Sequence, residues 1–445
     1  MTHSYIIRKT LGIKDLNINL EDKISEKKIK GRINLIYYGK LTYTPSACEN
    51  CGVIHRSSAD IIKNGTKEST IKLTHINFKP VLLKLKKQRF YCKHCHSTFM
   101  GKTSLVNQHC YISNIIKAAI SLELVETQSI KLIAKHFNIS SHTVLRQLNT
   151  VGMDYKLNYH YLPEHLSIDE FKSVKDVSGA MSLLVIDART HEPIDIVENR
   201  QQNYLVDYFT RYSLQARLKV KTVTMDMYSP YIQVIKDCFP NAEMIIDRFH
   251  IVQLLNRALN QVRIQEMKKI RYLRPRDYRK LKKQWRLLLK NEWSLNYQDY
   301  YTNRLYQGYV TEKIMVEYLL SLSPALAKSY RIVNRLRWSL ENRRFKLFKQ
   351  TLMNSKLDSY PRKIRTALTS LEKYLDSIEN AFIYTLSNGP IEGINNKIKN
   401  IKRSGYGYRN FENLRNRVLI SFTLIQDQRK PKALYYEKES IKSSL

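Results

Sequence analysis

The sequence is short of acidic residues and has no long apolar run. Asp and Glu total 39 in 445 residues against 75 Lys and Arg, so the formal net charge is +36. No stretch approaches the roughly 20 apolar residues that a helix needs to cross a bilayer. The first segment of the chain also lacks the apolar core of a signal peptide. We therefore expect a cytoplasmic protein with reduced thiols and no membrane partner.

The positive surplus runs along the whole chain and is not confined to one tail. A field of this sign and extent favours a polyanionic partner, and nucleic acid fits better than a membrane surface. A length of 445 residues allows two to four domains. The composition therefore predicts a multidomain protein that binds nucleic acid.

Cysteine is scarce, yet four of the six cysteines form two C-x-x-C pairs. The pairs are Cys48 with Cys51 and Cys92 with Cys95, and this spacing lets both sulfurs of a pair reach one tetrahedral zinc. The forty residues between the pairs exceed the usual ribbon spacing, so we expect strands over residues 81–85 and 89–91 to carry the second pair into place. The pattern predicts a structural Zn²⁺ site, and the alternative is a redox pair or a metal-free set of thiols.

Other residues near these pairs could also bind metal. The histidines His55, His94 and His96 could substitute as ligands, although four thiolates already complete a zinc shell. Cys110 and Cys238 stand alone, and we expect them to be ordinary buried thiols.

Residues 113–152 show helical apolar spacing in three consecutive segments. The first segment has an apolar stripe made of Ile115, Ile116, Ala119 and Leu122. The second should begin at Ser129 as N-cap and bury Leu132, Ile133 and Phe137. The third, capped by Ser140 or Ser141, should bury Val144, Leu145 and Leu148 and expose His142, Thr143, Arg146 and Gln147. This layout predicts a helix-turn-helix with a major-groove helix, and the alternative is a three-helix cluster with no DNA role.

Strand-like segments and helices follow one another between residues 166 and 262. We predict strands over residues 166–171, 181–188, 193–197, 220–225 and 241–247, and helices over residues 203–212 and 250–262. This succession of strands and helices predicts an RNase H-like mixed α/β core. Asp169 ends an apolar run and Asp226 directly follows the fourth strand. Open α/β sheets build their sites at such strand ends, so the two acids could lie side by side.

A third acid, Glu392, falls in the first turn of a helix that Gly389 and Pro390 introduce. Steps of three, four, seven and eleven residues from Glu392 reach polar and basic residues on the same helical face, namely Asn395, Asn396, Lys399 and Arg403. A lone carboxylate on such a face suits a metal ligand beside a phosphate backbone. The alternative is a solvated basic helix whose Glu is stabilised by the helix dipole.

Asp169, Asp226 and Glu392 together form the predicted catalytic set. Three neighbouring carboxylates repel one another unless divalent cations bind between them, and two such ions about 4 Å apart support in-line attack on a phosphodiester. The competing acids on nearby segments are Asp187, Asp195, Asp247 and Glu170. Glu170 should face away from Asp169, because side chains alternate along a strand.

The separation of 166 positions between Asp226 and Glu392 is too long for one connection within a compact core. We therefore predict a helical insertion, which would contain Trp285, Trp293 and Trp338. Its surplus of Lys and Arg indicates a DNA-facing or dimerising surface, and the alternative is a plain helical bundle. We expect the tryptophans to be core residues.

These segments, in order along the chain, resemble bacterial insertion-sequence transposases of the ISL3 family, which carry an Asp-Asp-Glu triad. The similarity to the catalytic segments is carried by residues 167–171 (SIDEF), 225–231 (MDMYSPY), 387–396 (SNGPIEGINN) and 407–411 (GYRNF). Residues 247–250 (DRFH) are similar to a D-x-x-H signature of related transposases. The C-x-x-C pairs and residues 113–152 resemble the zinc module and the helix-turn-helix of that family.

The resemblance implies a DDE transposase that binds terminal inverted repeats and catalyses DNA cleavage and strand transfer. Asp169, Asp226 and Glu392 would be the catalytic ligands of two Mg²⁺ or Mn²⁺ ions, with Asp247 and His250 in support. The predicted DNA contacts are His142, Thr143, Arg146, Gln147, Lys399, Lys402 and Arg403. Because an element has two ends, we expect a homodimer or higher assembly on double-stranded DNA, at the bacterial nucleoid. The alternatives are a non-catalytic DNA-binding regulator and a structure-specific nuclease without strand transfer.

The predicted fold is multidomain α/β, with an RNase H-like catalytic core interrupted by an all-α insertion. The predicted domains are an N-terminal arm (1–40), a zinc-binding module (41–105), a helix-turn-helix (110–153), the first part of the core (160–260), the insertion (261–380), the second part of the core (381–430) and a C-terminal tail (431–445).

Overall fold

The computed structural model describes residues 3–355 and 357–423, so the predicted tail over 431–445 lies outside the described residues. The strands are β1 Ile18–Ile29, β2 Arg32–Leu41, β3 Ile61–Ile76, β4 Lys79–Cys92, β5 Thr98–Met100, β6 His165–Lys172, β7 Met181–Asp187, β8 Pro193–Val197, β9 Thr222–Met225, β10 Glu243–Ile246, β11 Tyr301–Thr302 and β12 Tyr309–Val310. The helices in the N-terminal half are α1 His3–Thr10, α2 Asn114–Glu123, α3 Ile130–His136, α4 Ser141–Met153, α5 Gln202–Thr210, α6 Leu214–Leu218 and α7 Ser229–Cys238. The remaining helices are α8 Arg248–Lys269, α9 Pro275–Lys283, α10 Trp285–Leu289, α11 Glu312–Ser321, α12 Pro324–Glu341, α13 Phe345–Met353, α14 Arg362–Lys373, α15 Leu375–Ile383, α16 Gly389–Ser404 and α17 Phe411–Thr423.

The chain divides into two compact units. The first comprises Met1–Leu157 and Lys397–Leu445, and the second comprises Asn158–Asn396. The boundary at residues 396 and 397 falls inside α16. The predicted second part of the core, 381–430, is therefore divided between the units, because α17 packs on α4 of the first unit.

A five-stranded sheet forms the first part of the first unit. Its order is β1-β2-β4-β3, with β5 paired to β4, and only the β2–β4 pair among the described strands of this sheet is parallel. Ile18, Leu41, Ile71 and Leu83 are fully buried in its core. Within the segment predicted as an N-terminal arm (1–40), β1 and most of β2 belong to this sheet and supply part of its core.

The three predicted helices over 113–152 are α2, α3 and α4, and each begins after a serine N-cap. The side chains of Ser113, Ser129 and Ser140 accept hydrogen bonds from the backbone N–H three residues further on. The expected burial of Leu132 is wrong, since this residue is exposed, and Leu122 of the apolar stripe is exposed as well. In α2 the buried stripe instead runs through Ile116 and Ile120.

Helix α17 packs closely against α4 within the first unit. The contact needs glycine at position 152, because a Cβ there would lie 2.3 Å from Cγ of Asn416. Arg417 of α17 is fully buried, and its Nη2 donates to the carbonyl oxygens of Glu126 (2.6 Å) and Gln128 (2.9 Å) between α2 and α3. The three helices are therefore held by a fourth helix that lies far away in sequence.

A second five-stranded sheet, in the order β10-β9-β6-β7-β8, forms the core of the second unit. Strand β6 is central, with β9 parallel on one side and β7 antiparallel on the other, and β10 is parallel to β9. Strands β7 and β8 are almost wholly buried, as their apolar sequences predict. This arrangement brings the carboxyl end of β9 beside the middle of β6.

The predicted insertion over 261–380 is mainly helical, but it also contains the two-stranded hairpin β11–β12. The expectation that its tryptophans are core residues is wrong. Trp285, Trp293 and Trp338 are 38%, 40% and 40% exposed. The buried face of α12 instead includes Leu326, Tyr330 and Val333.

Among the described residues, no helix has the length and apolar character that crossing a membrane requires.

Candidate active site

Two adjacent parallel strands of the second unit bring Asp169 and Asp226 together. Ser167 of β6 pairs with Thr224 of β9, and each acid lies two residues further along its strand direction. Because side chains alternate along strands, both acids project from the same face of the sheet. The sequence placed these acids at strand ends, and the strand register makes them neighbours.

His250 completes a cluster with these two acids. Helix α8 begins directly after β10, and His250 in its first turn reaches Oδ1 of Asp226 with its Nε2 at 2.6 Å. One ligand atom from each of Asp169, Asp226 and His250 lies within 4.8 Å of the others. The three residues could therefore share one metal ion, and the predicted supporting histidine is a member of the cluster itself.

Burial and the charge of Asp226 both disfavour ionisation of the Asp169 carboxyl group. Burial, reinforced by the neighbouring Asp226, raises the pKa of Asp169 to about 6. Burial acts to lower the pKa of His250, but the hydrogen bond and the charge of Asp226 outweigh it, so the pKa of His250 is raised. A bound cation would relieve the same repulsion between carboxylates that raises the pKa of Asp169.

Asn388 fastens the entry of α16 to the sheet. Its backbone N–H donates to Oδ1 of Asp247 (3.2 Å), and its Nδ2 donates to the carbonyl oxygen of Ile168 (3.3 Å). Its Oδ1 accepts a hydrogen bond from the hydroxyl of Ser167. Asp247 is itself buried, and burial raises its pKa. The start of α16 is thus tied both to Ile168, which precedes Asp169, and to Asp247, which precedes α8.

One turn into α16, Asn395 contacts the cluster directly. Its Nδ2 donates to Oδ2 of Asp169 at 2.7 Å, while its buried Oδ1 has no hydrogen-bond partner among the described residues. Glu392, one turn earlier on this helix, is exposed, and the clustered ligand atoms among the described residues do not include its carboxylate. The catalytic role of Glu392 therefore stays a prediction.

The donor set fits a divalent cation. Asp169 and Asp226 offer hard oxygen ligands, and His250 adds a nitrogen ligand. Asn395, which donates a hydrogen bond to Asp169, also has a buried amide oxygen without a hydrogen-bond partner among the described residues. Asp169, Asp226 and His250 could hold the ion, which would polarise a phosphoryl oxygen or a bound water.

The competing acids have structural partners. Asp187 accepts hydrogen bonds from the backbone N–H of Arg189 and Thr190 in a turn, and Asp195 accepts one from the hydroxyl of Tyr208 at 2.9 Å. Glu170 binds Nη1 of Arg200 through both carboxylate oxygens, at 2.7 and 2.6 Å. Among the predicted and competing acids, the clustered pair of carboxylates is Asp169 and Asp226.

The sequence reading missed the roles of Asn388, Asn395 and Arg200. Asn395 was placed on the face of Glu392, which was a signal for its contact with the site, and Asn388 opens the same segment. Arg200 gave no signal, because its partner Glu170 lies thirty residues away on another element.

The four cysteines of the first unit form a second ligand cluster. The Sγ atoms of Cys48 and Cys95 are 3.7 Å apart, and those of Cys51 and Cys92 are 3.8 Å apart. A zinc–sulfur distance of about 2.3 Å gives a tetrahedron with edges of about 3.8 Å, so the spacing fits zinc. A hydrogen bond from the Ser97 hydroxyl lowers the pKa of the Cys95 thiol to about 6. At Cys51 a backbone hydrogen bond with Val53 acts to lower the pKa, but burial and the neighbouring thiols outweigh it and raise the pKa to about 12.

Nearby histidines and lone cysteines lie outside this cluster. His94 pairs with Asp60 at 2.8 Å and His96 contacts the hydroxyl of Tyr91 at 3.0 Å, so both rings are engaged elsewhere. His55 is likewise absent from the cluster among the described residues. Of the two lone cysteines, Cys238 is buried as expected, whereas Cys110 is exposed, contrary to the prediction.

Comparison with known proteins assigns the chain to a family. A family model of DDE type for ISL3 elements, described as "Transposase", matches residues 166–418, which is more than half of the chain. The chain belongs to the ISL3 family of transposases. A second model, described as the zinc-finger of the transposases of IS204, IS1001, IS1096 and IS1165, matches residues 44–95. The four-cysteine cluster is therefore a zinc ribbon that supports a structural Zn²⁺.

Two relatives match this ISL3-family transposase. The chain is 24% identical over 392 residues to the transposase for insertion sequence element IS1001 of Bordetella parapertussis, covering 85% of this chain and 89% of that protein. It is 35% identical over 113 residues to a protein of Lactococcus lactis subsp. lactis named as an ATP-dependent protease, covering 25% of this chain and 36% of that protein. The second match is too short to bear on the activity of the whole chain.

The predicted DNA-contacting residues of the first unit have different environments. On α4, His142 and Arg146 are exposed and Thr143 is half-buried. Gln147 was expected to be exposed, but it is half-buried and its Nε2 donates to the hydroxyl of Ser121 at 3.1 Å. In the last part of α16, Lys399 and Arg403 are exposed, while Lys402 is half-buried and has an interaction partner.

Proposed function

We propose that this transposase binds the terminal inverted repeats of an insertion sequence and cleaves and rejoins DNA at those ends. The observation that carries the proposal is the cluster formed by Asp169 within β6, Asp226 directly after the adjacent parallel strand β9, and His250 at the start of α8. Two divalent cations can support in-line displacement at a phosphodiester without a covalent protein intermediate, and neighbouring carboxylates are suited to hold them.

Asp169, Asp226 and Glu392 are proposed as the cation ligands, with Mg²⁺ or Mn²⁺ as the metal. Two such ions, when bound, activate the attacking oxygen and stabilise the leaving 3′ oxygen. His250 could add a nitrogen ligand to these carboxylates; when no ion is bound, it holds the carboxylate of Asp226 in place, and Asn395 holds that of Asp169. Asn388 and Asp247 position the first turn of α16, which carries Glu392, against the sheet.

The core is proposed to be RNase H-like, interrupted by a helical insertion over 261–380. The order β10-β9-β6-β7-β8, in which β6 pairs antiparallel with β7 and parallel with β9, supports this assignment. Helices α8 to α15 fill the sequence between β10 and α16, which supports the insertion.

Helices α2 to α4 are proposed to be a helix-turn-helix that reads element ends. The exposed His142 and Arg146 and the half-buried Thr143 on α4 would face the major groove. Lys399, Lys402 and Arg403 are proposed to contact phosphates, which fix register without reading sequence. Two ends must be held together, so the proposed active form on double-stranded DNA is a homodimer or a higher assembly, acting at the bacterial nucleoid.

The experiment uses the full zinc-loaded chain and the inverted repeats that flank its coding region. Wild type should cut the repeat DNA in Mg²⁺ or Mn²⁺ and join the cut end to a target duplex. Glu392→Gln should bind the repeat but leave it uncut. The matched control is Glu412→Gln, since Glu412 is also an exposed acid in a first helical turn.

Each alternative function predicts a different result in this binding, cleavage and joining experiment. Specific binding without cutting by wild type would favour the non-catalytic regulator, which is the second candidate. Cutting without joined products would favour a plain nuclease. Equal cutting by wild type and Glu392→Gln would remove Glu392 from the catalytic set.

A further inference from the structure

The turn between β3 and β4 has an unusual residue at its tip. Ile76 pairs with Lys79, so Asn77 and Phe78 form a two-residue hairpin loop. Both have positive φ, 48° and 61°, which is the pattern of a type I′ turn. The preferred sequence for this turn is Asn-Gly, and a bulky residue with positive φ is a conformational outlier.

A second turn in the same sheet provides an internal comparison. Lys30 and Gly31 connect β1 and β2 with φ values of 51° and 80°, and there the second position is glycine. Phe78 occupies the position in its turn that Gly31 occupies in the other turn. Its side chain is 102% exposed, so the ring buries no apolar surface in the folded unit. Hairpin geometry and core packing both favour glycine at position 78. The ring therefore has a role outside the fold of this unit.

The surroundings of Phe78 are basic. Strands β2 and β4 are parallel, with Leu35 opposite Val81, so the two turns project from the same end of the sheet. That end carries the cations Lys28, Lys30, Arg32 and Lys79, with His75 on β3. The acid there is Glu26, which pairs with Lys79 at 2.6 Å. An exposed aromatic ring among cations suits a polyanion that also offers apolar surface.

The hairpin is attached to the three-helix region of the same unit. Lys72 of β3 donates from Nζ to the carbonyl oxygen of Asn138, in the turn between α3 and α4, at 2.9 Å. The backbone of Lys72 also pairs with the segment that enters α2, through a bridge to Ile112. The strand that leads to Phe78 is thus fixed relative to the helices proposed to read DNA.

We propose that the β3–β4 hairpin inserts the ring of Phe78 into double-stranded DNA, between stacked base pairs, while the cations beside it contact phosphates. An apolar wedge of this kind unstacks one base step and kinks the duplex by roughly 20–90°. This inference rests on the proposed function, because it assigns the wedge to the same DNA that α4 would read. A second copy of the chain is a poorer occupant, since it would bring the same positive end of the sheet against this one.

The experiment compares Phe78→Gly and Phe78→Leu with wild type, in the full zinc-loaded chain. The probe is a short duplex of the inverted repeat with a donor and an acceptor dye at its two ends, so that energy transfer reports the bend and anisotropy reports binding. The matched control is Leu16→Gly, because Leu16 is 79% exposed and lies at the opposite end of the same sheet, near the start of β1.

Phe78→Gly should abolish the bend and weaken binding by only about three- to tenfold, because the lost burial of the ring is partly offset by the avoided cost of unstacking. Phe78→Leu should keep most of the bend, and Leu16→Gly should keep all of it. The melting temperature of Phe78→Gly should be unchanged or raised by up to roughly 4 °C, since glycine relieves the positive φ.

Two results would overturn the wedge. One is an equal bend with wild type and Phe78→Gly, or no bend with either. The other is a lower melting temperature or loss of a dimer in Phe78→Gly by light scattering, which would assign the ring to protein packing. Failure of wild type to bind the repeat at all would instead reject the proposed function, so the two failures are distinguishable.

Discussion

The four-cysteine cluster and the carboxylate cluster are both sets of metal ligands, but they are assembled in opposite ways. In the first, two tight turns each supply a pair of thiols, and the sulfurs stand 3.7 and 3.8 Å apart, at the spacing of a filled tetrahedron. In the second, Asp169, Asp226 and His250 come from three separate elements, and the exposed Glu392 lies outside the cluster. The first set supplies the four protein ligands that complete a zinc shell, whereas the second supplies three ligands, fewer than a divalent cation with oxygen ligands takes.

The two clusters should also differ in what they contribute to folding. A structural zinc adds its binding free energy to the stability of its domain. Asp169, by contrast, has a raised pKa, so its ionised carboxylate is less stable in the folded protein than in the unfolded chain. We therefore expect ligand removal to impair folding at the first cluster and catalysis at the second.

The largest expected effect is on catalysis. Asp169→Asn should slow the cleavage of repeat DNA about a thousandfold or more, because several kcal/mol of transition-state stabilisation would be lost. The melting temperature of the metal-free variant should not fall, since the substitution removes a charge that folding disfavours. Gel assays of labelled DNA and calorimetry measure the two properties.

The control for this substitution is Asp187→Asn, which alters a buried acid that holds a turn. It should lower stability and leave cleavage within a fewfold of wild type. Wild-type cleavage by Asp169→Asn would mean that the reaction is carried out elsewhere in the chain.

The next effect concerns zinc. Cys92→Ser should reduce zinc from about one ion per chain to none, and it should unfold much of the first unit, because structural zinc contributes on the order of 10 kcal/mol. The second unit has its own core, so calorimetry should retain one of two transitions. Cys110→Ser changes an exposed thiol outside the cluster and should retain both. If Cys92→Ser lost its zinc but stayed folded, the four-cysteine cluster would contribute no more to stability than the carboxylate cluster.

A smaller effect should come from the anchor of α16. Asn388→Ala removes two side-chain hydrogen bonds, to Ser167 and Ile168, and we expect a loss of about 1–3 kcal/mol in the stability of the second unit. Cleavage should fall while the zinc content stays unchanged. Asn400→Ala, at an exposed position of the same helix, serves as the control. If cleavage survives in Asn388→Ala, the carboxylate cluster does not depend on the position of α16.

The smallest effect separates two neighbours on α4. Arg146→Ala should reduce the preference for repeat over random DNA by about 1–3 kcal/mol, because an exposed Arg can read a guanine edge. Gln147→Ala should change that preference little and cost about 0.5–1.5 kcal/mol of stability, because it loses its bond to Ser121. Competition titrations at one salt concentration measure the preference. An unchanged preference in Arg146→Ala would move sequence reading to another surface.

Much of the local structure could be predicted because it depends on neighbouring residues. Serines at the N-cap positions marked the starts of α3 and α4, and continuous apolar runs marked β7 and β8. The cysteine pairs indicated their cluster through spacing alone. Burial within helices was less predictable, as Leu122, Leu132 and the three exposed tryptophans show, because a helix has several apolar faces and only its neighbours select one.

The sequence by itself determined the chemistry that is available: the two thiol pairs, the acids at strand ends, the basic surplus and the order of the elements. Tertiary structure alone decided which of these groups meet. It paired Asp226 with His250, tied Asn388 to β6 across more than two hundred residues, turned Gln147 toward Ser121 and left Phe78 exposed. The reason is physical: capping and turn formation act within a few residues, whereas strand register and helix docking are set by packing between distant parts of the chain.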